Sequence, residues 1–271
     1  MRLHLEKATL AVLLLAAACA TAPYTGRTQL MMVSQSEEVT MGVQAYKEAL
    51  SKASVVHDAA VTARVRAVGE RIAKAADKPE YQWEFTVIDD PKQANAFALP
   101  GGKVAVYTGL FPIAHDDAGL AAVLGHEVGH AIARHGAERV SQAMSAQAVG
   151  TALSVGVGAV APGASSAVMA AYGLGSQVGV LLPWSRTQEA EADHIGLILM
   201  AKAGYDPHAA LDLWQRFAQA EKQQPPEFLS THPGYGTRQQ NIASWIPEAE
   251  RYYQADPSVQ VSPLPAIASI H

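Results

Sequence analysis

One short stretch, His126-Glu127-Val128-Gly129-His130, constrains this chain more than any other feature. It lies in a segment whose apolar spacing predicts a helix. The two histidines are four positions apart, so they project from one helical face and can bind the same metal ion. The glutamate between them then lies beside any water molecule at that metal. The pattern predicts a zinc peptidase site, although three fixed positions also recur by chance.

The chain begins with a segment that predicts export. Arg2 and Lys7 give a weakly positive start, and the apolar run 8–18 that follows ends at Cys19, the single cysteine of the sequence. This run is too short to span a bilayer as a mature helix but matches the hydrophobic region of a secretory signal. We therefore expect residues 1–18 to be a signal peptide.

Cys19 resembles the lipidated cysteine of bacterial lipoproteins, because Leu15 and three alanines precede it, although the leucine stands one place earlier than is usual. The resemblance implies cleavage before Cys19 and a lipid anchor on that residue. Ala20, rather than an aspartate, follows the cysteine. By the same resemblance this favours the periplasmic face of the outer membrane of a Gram-negative bacterium. The alternative is an ordinary signal peptide whose apolar region contains a cysteine.

The composition limits the class of protein. A lipidated Cys19 leaves no thiol for disulfide bonds, so a hydrophobic core must hold the chain together, and about 250 residues suffice for one such domain. The formal net charge is −5 and the basic residues are scattered, so no nucleic-acid partner is expected. We divide the chain into a signal peptide, an N-terminal tether, a main domain and an irregular tail, over 1–18, 19–33, 34–253 and 254–271.

Apolar spacing and turn residues predict helices, then a short sheet, then more helices, which is an α+β arrangement. Residues 34–37 have the pattern of a capping box, and apolar residues recur at helical spacing over 59–76. Alternating side chains predict a strand over 83–88, and a hairpin over 95–108.

Later segments also predict helices. Asp116 or Asp117 can cap the helix that carries the two histidines. Asp206-Pro207 is expected to open another helix, and a short helix is expected over 241–245. The buried stripe expected for the histidine helix comprises Leu120, Val123, Leu124, Val128 and Ile132.

A catalytic zinc usually has three protein ligands, so the histidine pair needs a third group. His135 follows His130 by five residues, whereas the extended metzincin pattern requires a histidine at six, so His135 is not expected to be a ligand. Glu189 and Asp193 share one face of a second predicted helix. One carboxylate can bind the metal while the other accepts the ring N–H of a liganding histidine. Glu191 faces another way. The alternative is a solvated acidic helix start.

Four features in this order resemble one zinc metallopeptidase family. That family contains the HtpX proteases, the CAAX prenyl endopeptidases, the mitochondrial Oma proteases and the periplasmic lipoprotein proteases BepA and LoiP, and the last two are the most similar in kind. The features are the stretch Asn95-Ala96-Phe97-Ala98-Leu99-Pro100-Gly101-Gly102, the helix with His126 and His130, the helix with Glu189 and Asp193, and Thr231-His232-Pro233 followed by Arg238.

The resemblance implies a gluzincin-type fold, mostly helical, with a small mixed β-sheet above the active-site cleft. It implies one zinc ion per chain, bound by His126, His130 and Glu189, with Asp193 as the hydrogen-bond partner of a liganding histidine. Glu127 would then be the base that activates water for peptide hydrolysis and returns the proton to the leaving amine.

His232 and Arg238 are candidate catalytic residues by the same resemblance. Either can donate a hydrogen bond to the oxyanion of the tetrahedral intermediate. In the BepA-like branch, His232 would instead fill the fourth zinc position and hold the enzyme latent. The alternative for a lone loop histidine is no role in the site.

The predicted hairpin suggests how a substrate binds. Asn95, Ala96 and Phe97 begin a strand whose exposed edge can pair with an extended peptide of any sequence. Phe97 can equally be a core residue of a purely structural hairpin. Segment 146–182 is rich in small residues and glycine, so we expect packed helices or a mobile cover there in preference to a membrane hairpin.

Two functions from different classes follow. The first is a lipid-anchored zinc endopeptidase of the bacterial envelope that degrades misfolded or unassembled proteins. The second is a periplasmic chaperone or assembly factor that binds the same clients with little or no cleavage. Glu127 favours the first, because a pure binder has no chemical need for a base beside the metal.

Overall fold

The computed structural model of the chain describes residues 19–153, 185–222, 226–232 and 235–266. Within these ranges it has nine α-helices: α1 Gln35–Ser51, α2 Ala59–Ala76, α3 Phe111–Ala114, α4 Asp117–Ile132, α5 His135–Leu153, α6 Arg186–Lys202, α7 Ala209–Glu221, α8 Glu227–Thr231 and α9 Tyr235–Ala249. Its five strands are β1 Cys19–Thr21, β2 Thr28–Leu30, β3 Glu84–Ile88, β4 Ala96–Leu99 and β5 Lys103–Tyr107. The expected signal peptide and most of the expected small-residue cover lie outside the described residues.

Local caps explain where the first two long helices begin and end. The Ser34 hydroxyl accepts a hydrogen bond from the N–H of Glu37, whose carboxylate accepts the N–H of Ser34 in return, so the predicted capping box is confirmed. Asp58 caps α2 through two backbone N–H groups of its first turn. Asp77 ends α2 with a left-handed φ of 51°. The bounds of α2 are those predicted from the apolar spacing.

The three-stranded sheet is mixed, as the resemblance implied. β5 lies in its centre, parallel to β3 and antiparallel to β4. The turn between β4 and β5 contains Gly101 and Gly102, whose positive φ angles of 86° and 82° favour glycine. This order leaves β4 at an edge of the sheet.

Helix α4, which carries the two histidines, is the central element. Asp116, one of the two predicted caps, accepts the N–H of Gly119 at 2.9 Å. The sequence predicted one buried stripe, but all 16 residues of α4 are buried. They are buried because α2, α6, α7 and β4 surround the helix.

Glycines allow α4 and α6 to approach closely. A Cβ atom on Gly125 would lie 2.7 Å from the carbonyl oxygen of Gly196, and one on Gly129 would lie 2.9 Å from that of Ala192. Both distances are too short for a carbon atom beside a carbonyl oxygen, so a larger residue does not fit. The close approach places the acidic residues of α6 beside the histidines of α4.

Helix α7 begins later than predicted. The Asp206 carboxylate accepts the N–H of His208 at 2.9 Å and holds a turn, so the helix starts at Ala209 instead of at Asp206-Pro207. Helix α9 is longer than the short helix predicted over 241–245. Packing against α6 and α7 extends it, although it contains Pro247, a residue that disfavours helix.

Both ends of the described chain contact the helical body. β1 and β2 form a separate antiparallel hairpin with Ala20 opposite Gln29. The C-terminal tail runs without a helix from residue 252 to 266, and Arg64 binds the backbone carbonyls of Ser262 and Pro263 there. None of the helices in the described ranges is long and apolar enough to cross a bilayer.

Candidate metal centre

Four buried side chains meet between α4, α6 and the end of α8. His126 and His130 come from α4, Glu189 from the first turn of α6, and His232 directly follows α8. One potential ligand atom of each lies within 4.8 Å of the others. The structure therefore brings the three ligands expected from the sequence together with His232, for which the resemblance gave the fourth zinc position as one of two roles.

The spacing of these atoms suits zinc. The Nε2 atoms of His126 and His130 lie 3.1 Å apart, and Oε1 of Glu189 lies 3.2 Å from Nε2 of His130. A tetrahedron with metal–ligand bonds of about 2.1 Å has edges of about 3.4 Å. Oε1 of Glu189 is buried without a hydrogen-bond donor, so a cation beside it would stabilise it, whereas Oε2 forms an ion pair with Arg238. Two imidazoles and a carboxylate are a donor set typical of zinc.

Asp193 orients the first histidine. Its Oδ1 atom lies 2.9 Å from Nδ1 of His126, so His126 can donate that N–H to the carboxylate and present Nε2 to the metal. Burial and the charge of Arg238 lower the pKa of His126 to about 4, which keeps the ring neutral. Burial alone would raise the pKa of Asp193, but Arg238 and the hydrogen bond with His126 lower it. Asp193 thus has the geometry expected for the hydrogen-bond partner of a liganding histidine.

The second histidine is supported by another imidazole. Nδ1 of His130 lies 2.8 Å from Nδ1 of His135, and Nε2 of His135 lies 2.9 Å from Oε2 of Glu191. His135 is not in the ligand group, and Glu191 faces away from the metal, in agreement with the sequence analysis. Both residues are nevertheless buried, with 0% and 5% of their surface exposed. Their support of His130 was not predicted from the sequence.

The chain reversal after α4 explains the position of His135. Arg134 has a φ of 60°, so the backbone turns sharply between α4 and α5. His135, the first residue of α5, is thereby placed behind His130. In the sequence, the only sign of this arrangement is a histidine immediately after the end of a helix. That sign does not predict which residues His135 contacts.

Glu127 has the environment of a catalytic acid and base. It is 4% exposed, lies between the two histidines on α4, and accepts a hydrogen bond from the backbone N–H of Ala98. Burial and then the charge of Glu189 raise the pKa of Glu127 well above its ordinary value. A carboxyl group with a raised pKa can hold a proton near neutral pH.

His232 faces the centre with one nitrogen. Its Nδ1 atom lies 3.0 Å from the carbonyl oxygen of Phe228, and its ring stacks on Phe228 at 4.2 Å between centroids. Nε2 lies 3.4 Å from Oε1 of Glu127. The Phe228 carbonyl can only accept, so Nδ1 carries the proton of the neutral ring and Nε2 presents a lone pair, as a fourth ligand requires. Donation from Nε2 to an oxyanion requires the doubly protonated ring, which burial disfavours by lowering the pKa of His232. The orientation toward Glu127 is evidence against the alternative that His232 is a loop histidine with no role in the site.

Arg238 binds two carboxylates. Nη2 lies 2.6 Å from Oδ1 of Asp193, Nη1 lies 3.0 Å from Oε2 of Glu189, and the guanidinium carbon lies 3.5 Å from the centre of the Trp214 ring. These contacts bury Arg238 to 3% exposure. The geometry therefore favours a positioning role for Arg238 over the oxyanion role suggested from the sequence.

The three residues expected to bind substrate, Asn95, Ala96 and Phe97, are all buried, so their side chains are not exposed at the edge of β4. Asn95 is mostly buried and its Oδ1 accepts the N–H of Ala96 at 2.9 Å. Phe97 packs against Tyr46 and Tyr107, with ring centroids 6.4 and 6.3 Å away. Phe97 is thus a core residue, as the structural alternative stated, and binding at β4 would use the backbone.

Comparisons with known proteins point to one family. The model of Peptidase family M48 matches residues 59–246. The relatives include the mitochondrial metalloendopeptidase OMA1 of Schizosaccharomyces pombe, 39% identical over 235 residues, and that of Saccharomyces cerevisiae, 32% identical over 252 residues. The beta-barrel assembly-enhancing protease of Escherichia coli is 28% identical over 218 residues.

These alignments cover more of this chain than of the relatives. They include 84%, 86% and 79% of this chain, in the same order, but 66%, 70% and 44% of the three relatives. The chain thus spans about two thirds of the length of the yeast proteins and less than half of the bacterial one.

Proposed function

This chain belongs to the metallopeptidases of family M48, and we propose that it is a zinc endopeptidase of the bacterial cell envelope that hydrolyses misfolded or unassembled proteins. The observation that carries the proposal is the buried Glu127 carboxyl group beside His126, His130 and Glu189. A binding protein needs no acid–base group at that point.

The residues of the centre have separate tasks. A zinc ion held by His126, His130 and Glu189 would polarise a peptide carbonyl and activate a water molecule. The Glu127 carboxylate would take up the proton of the attacking water, hold it because burial and Glu189 raise its pKa, and return it to the leaving amine. The Ala98 N–H fixes the Glu127 carboxyl group during both transfers.

The edge of β4 supports the binding of extended peptides. The N–H of Tyr107 donates to the carbonyl of Asn95, so this residue and every second one after it direct their backbone groups toward β5. Ala96 and Ala98 therefore direct theirs toward the outer edge, where the Ala98 N–H already reaches Glu127. The outward N–H groups already have acceptors, Asn95 Oδ1 for Ala96 and Glu127 for Ala98, so a peptide added to this edge would donate to the carbonyls of Ala96 and Ala98. Such backbone hydrogen bonds suit unfolded clients of varied sequence, and the backbone of the peptide would lie next to Glu127.

The proposed location rests on the sequence around Cys19 and on relatives from bacteria. Cys19 is the first residue of β1 and lies opposite Leu30. A lipid on Cys19 would hold the peptidase at the periplasmic face of the outer membrane, where unassembled envelope proteins are its substrates. The yeast relatives, by contrast, are named as mitochondrial.

A chaperone or assembly factor is the second candidate function. The edge strand β4 can bind an extended client without cleaving it, and the bacterial relative is named for enhancing assembly as well as for proteolysis. Glu127 separates the two functions, because only hydrolysis uses its proton.

The variant Glu127→Gln tests the proposal. Glutamine keeps the size of the side chain but cannot take up the proton. We expect the variant to hold close to one zinc per chain and to lose the cleavage of unfolded casein that the zinc-loaded wild-type chain shows. Protection of casein from aggregation by both proteins, with no cleavage by either, would instead establish the chaperone.

The variant His232→Ala distinguishes the two roles of His232. As a fourth ligand, His232 would restrain the site, so its removal should raise the basal cleavage of casein several-fold. The exposed His208, changed to alanine, is the control. A large loss of cleavage in His232→Ala alone would refute latency and assign His232 to oxyanion stabilisation.

A further inference from the structure

A line of buried hydrogen bonds leads from the metal centre to the N-terminal hairpin. It starts at Nδ1 of His130, the nitrogen turned away from the centre, and passes through both nitrogens of His135 to Oε2 of Glu191. Nε of Arg27, in the loop of the β1–β2 hairpin, lies 2.7 Å from that same oxygen. The Thr25 hydroxyl also binds Glu191. The ligand and the hairpin are thus joined through two intervening side chains.

The order of donors in this line is fixed by chemistry. A carboxylate accepts hydrogen bonds, so Nε2 of His135 donates to Glu191. The Nδ1 atom of a neutral His135 is then an acceptor, and it takes the Nδ1–H of His130. His130 is left with an unprotonated Nε2, which is the form that binds a metal. The opposite order would place the proton of His130 on the nitrogen that faces the centre.

Arg27 holds the far end of this line in place. Its Nη1 and Nη2 atoms bind the two carboxylate oxygens of Glu138 at 2.7 and 2.8 Å, while Nε binds Glu191. Bidentate guanidinium–carboxylate pairs have a fixed geometry. Gln29, with 2% of its surface exposed, donates to the carbonyl of Ala133 at 3.0 Å, at the end of α4. The hairpin therefore contacts α4, α5 and α6 together.

We propose that His135 and Glu191 are positioning residues for the metal, and that Arg27 makes the N-terminal hairpin part of the metal site. The His135–Glu191 pair fixes the tautomer and the ring plane of His130, as Asp193 does alone for His126. Arg27 fixes Glu191. Docking of the hairpin and metal binding therefore strengthen each other. The proposal rests on the metal centre of the proposed function but does not require proteolysis.

Zinc affinity, measured by competition with a chromophoric chelator, tests the proposal without an activity assay. His135→Phe keeps a ring but removes both hydrogen bonds, and Glu191→Gln removes the charge. Both should weaken zinc binding about 10- to 100-fold. His135→Gln offers one acceptor and one donor, so it should recover most of the affinity.

Glu138→Gln is the matched control. Glu138 is as buried as Glu191 and binds the same arginine, but it makes no hydrogen bond in the line to His130. A glutamine there still accepts a hydrogen bond from Arg27, whose Nε keeps its bond with Glu191. It should retain an affinity near that of the wild-type chain. Equal losses in Glu138→Gln and Glu191→Gln would overturn the proposal, because they would show only a general loosening of the fold.

Arg27→Met tests the part played by the hairpin. It leaves the Glu191 charge but removes its guanidinium partner, so zinc binding should weaken. An unchanged affinity would refute the coupling of the hairpin to the metal.

The visible spectrum of the cobalt-loaded chain is a second measurement. A variant that is only less stable should not change it. The ligand-field bands should shift in His135→Phe and Glu191→Gln, because the orientation of His130 changes. They should not shift in Glu138→Gln. Identical spectra and affinities in all three variants would contradict the proposal, whether or not the chain cleaves casein.

Discussion

At the scale of single residues, each group of the metal centre depends on a partner from another element. Asp193 orients His126. Arg238, which belongs to α9, binds Asp193 and Glu189 of α6. Ala98 of β4 binds Glu127. A ligand with a fixed tautomer and a fixed rotamer loses less freedom when the metal binds, so these partners favour binding.

The variant Arg238→Met should destabilise the metal-free chain strongly. Removal of the guanidinium leaves the carboxylates of Asp193 and Glu189 buried without their cation. We expect a loss of about 3–5 kcal/mol in the free energy of unfolding, measured by urea titration. Zinc should recover part of this loss, because it neutralises Glu189.

Arg71→Met is the control, since Arg71 forms a more exposed ion pair with Asp256. Its loss should lower the free energy of unfolding far less than the loss of Arg238, because solvent screens an exposed pair. Unchanged stability in Arg238→Met, together with a large fall in the rate of casein cleavage, would show instead that Arg238 stabilises the oxyanion.

The residues expected to bind the metal could be predicted from the sequence, but few of the side chains that support them could. The spacing of His126 and His130, and that of Glu189 and Asp193, places each pair on one helical face, which is a local property. The partnership of His135 with Glu191 depends on the turn at Arg134 and on the side-chain hydrogen bonds between α5 and α6, which no local pattern shows. The burial of Arg238 is a long-range property of the same kind.

At the scale of elements, the distance between α4 and α6 decides whether the metal site exists. Gly125 and Gly196 face each other at the crossing, where a Cβ atom on Gly196 would lie 2.7 Å from the backbone nitrogen of His126. The helix that supplies Glu189 can therefore approach the helix that supplies the histidines. Dispersion contacts at this spacing add to the stability of the pair.

The variant Gly196→Ala should force these helices apart. The added methyl group meets backbone atoms, which cannot rotate away, so we expect a loss of about 1–3 kcal/mol in the free energy of unfolding. Zinc affinity should fall as well, because Glu189 moves with α6. Unchanged values in urea titration and chelator competition would contradict the close packing of α4 and α6.

Elements with strong local signals were predicted well. The capping box at Ser34 and the helix over 59–76 agree with the structure because capping and apolar spacing specify them locally. The start of α7 and the length of α9 were predicted poorly. Before α7, Asp206 has the residue type of a helix cap but holds a turn. In α9, tertiary packing outweighs the low helix propensity of Pro247.

At the scale of the whole molecule, both ends of the described chain hold the central helix α4. Gln29 of the hairpin binds the carbonyl of Ala133 beyond the end of α4, and Arg64 joins Asp117 at its start to the C-terminal tail. The backbone N–H of Ser262 also binds Asp117 at 3.0 Å. The composition of the expected tether and tail gave no signal of these contacts, because they depend on partners more than a hundred residues away.

The position of the metal tests the central claim most directly. Crystals of the zinc-loaded chain, measured on both sides of the zinc absorption edge, should show one strong anomalous peak within about 2.0–2.2 Å of Nε2 of His126, Nε2 of His130 and a carboxylate oxygen of Glu189. A peak coordinated by His135 or by Asp193 in place of Glu189, or the absence of a peak among these side chains, would contradict the proposed centre and the peptidase chemistry that depends on it.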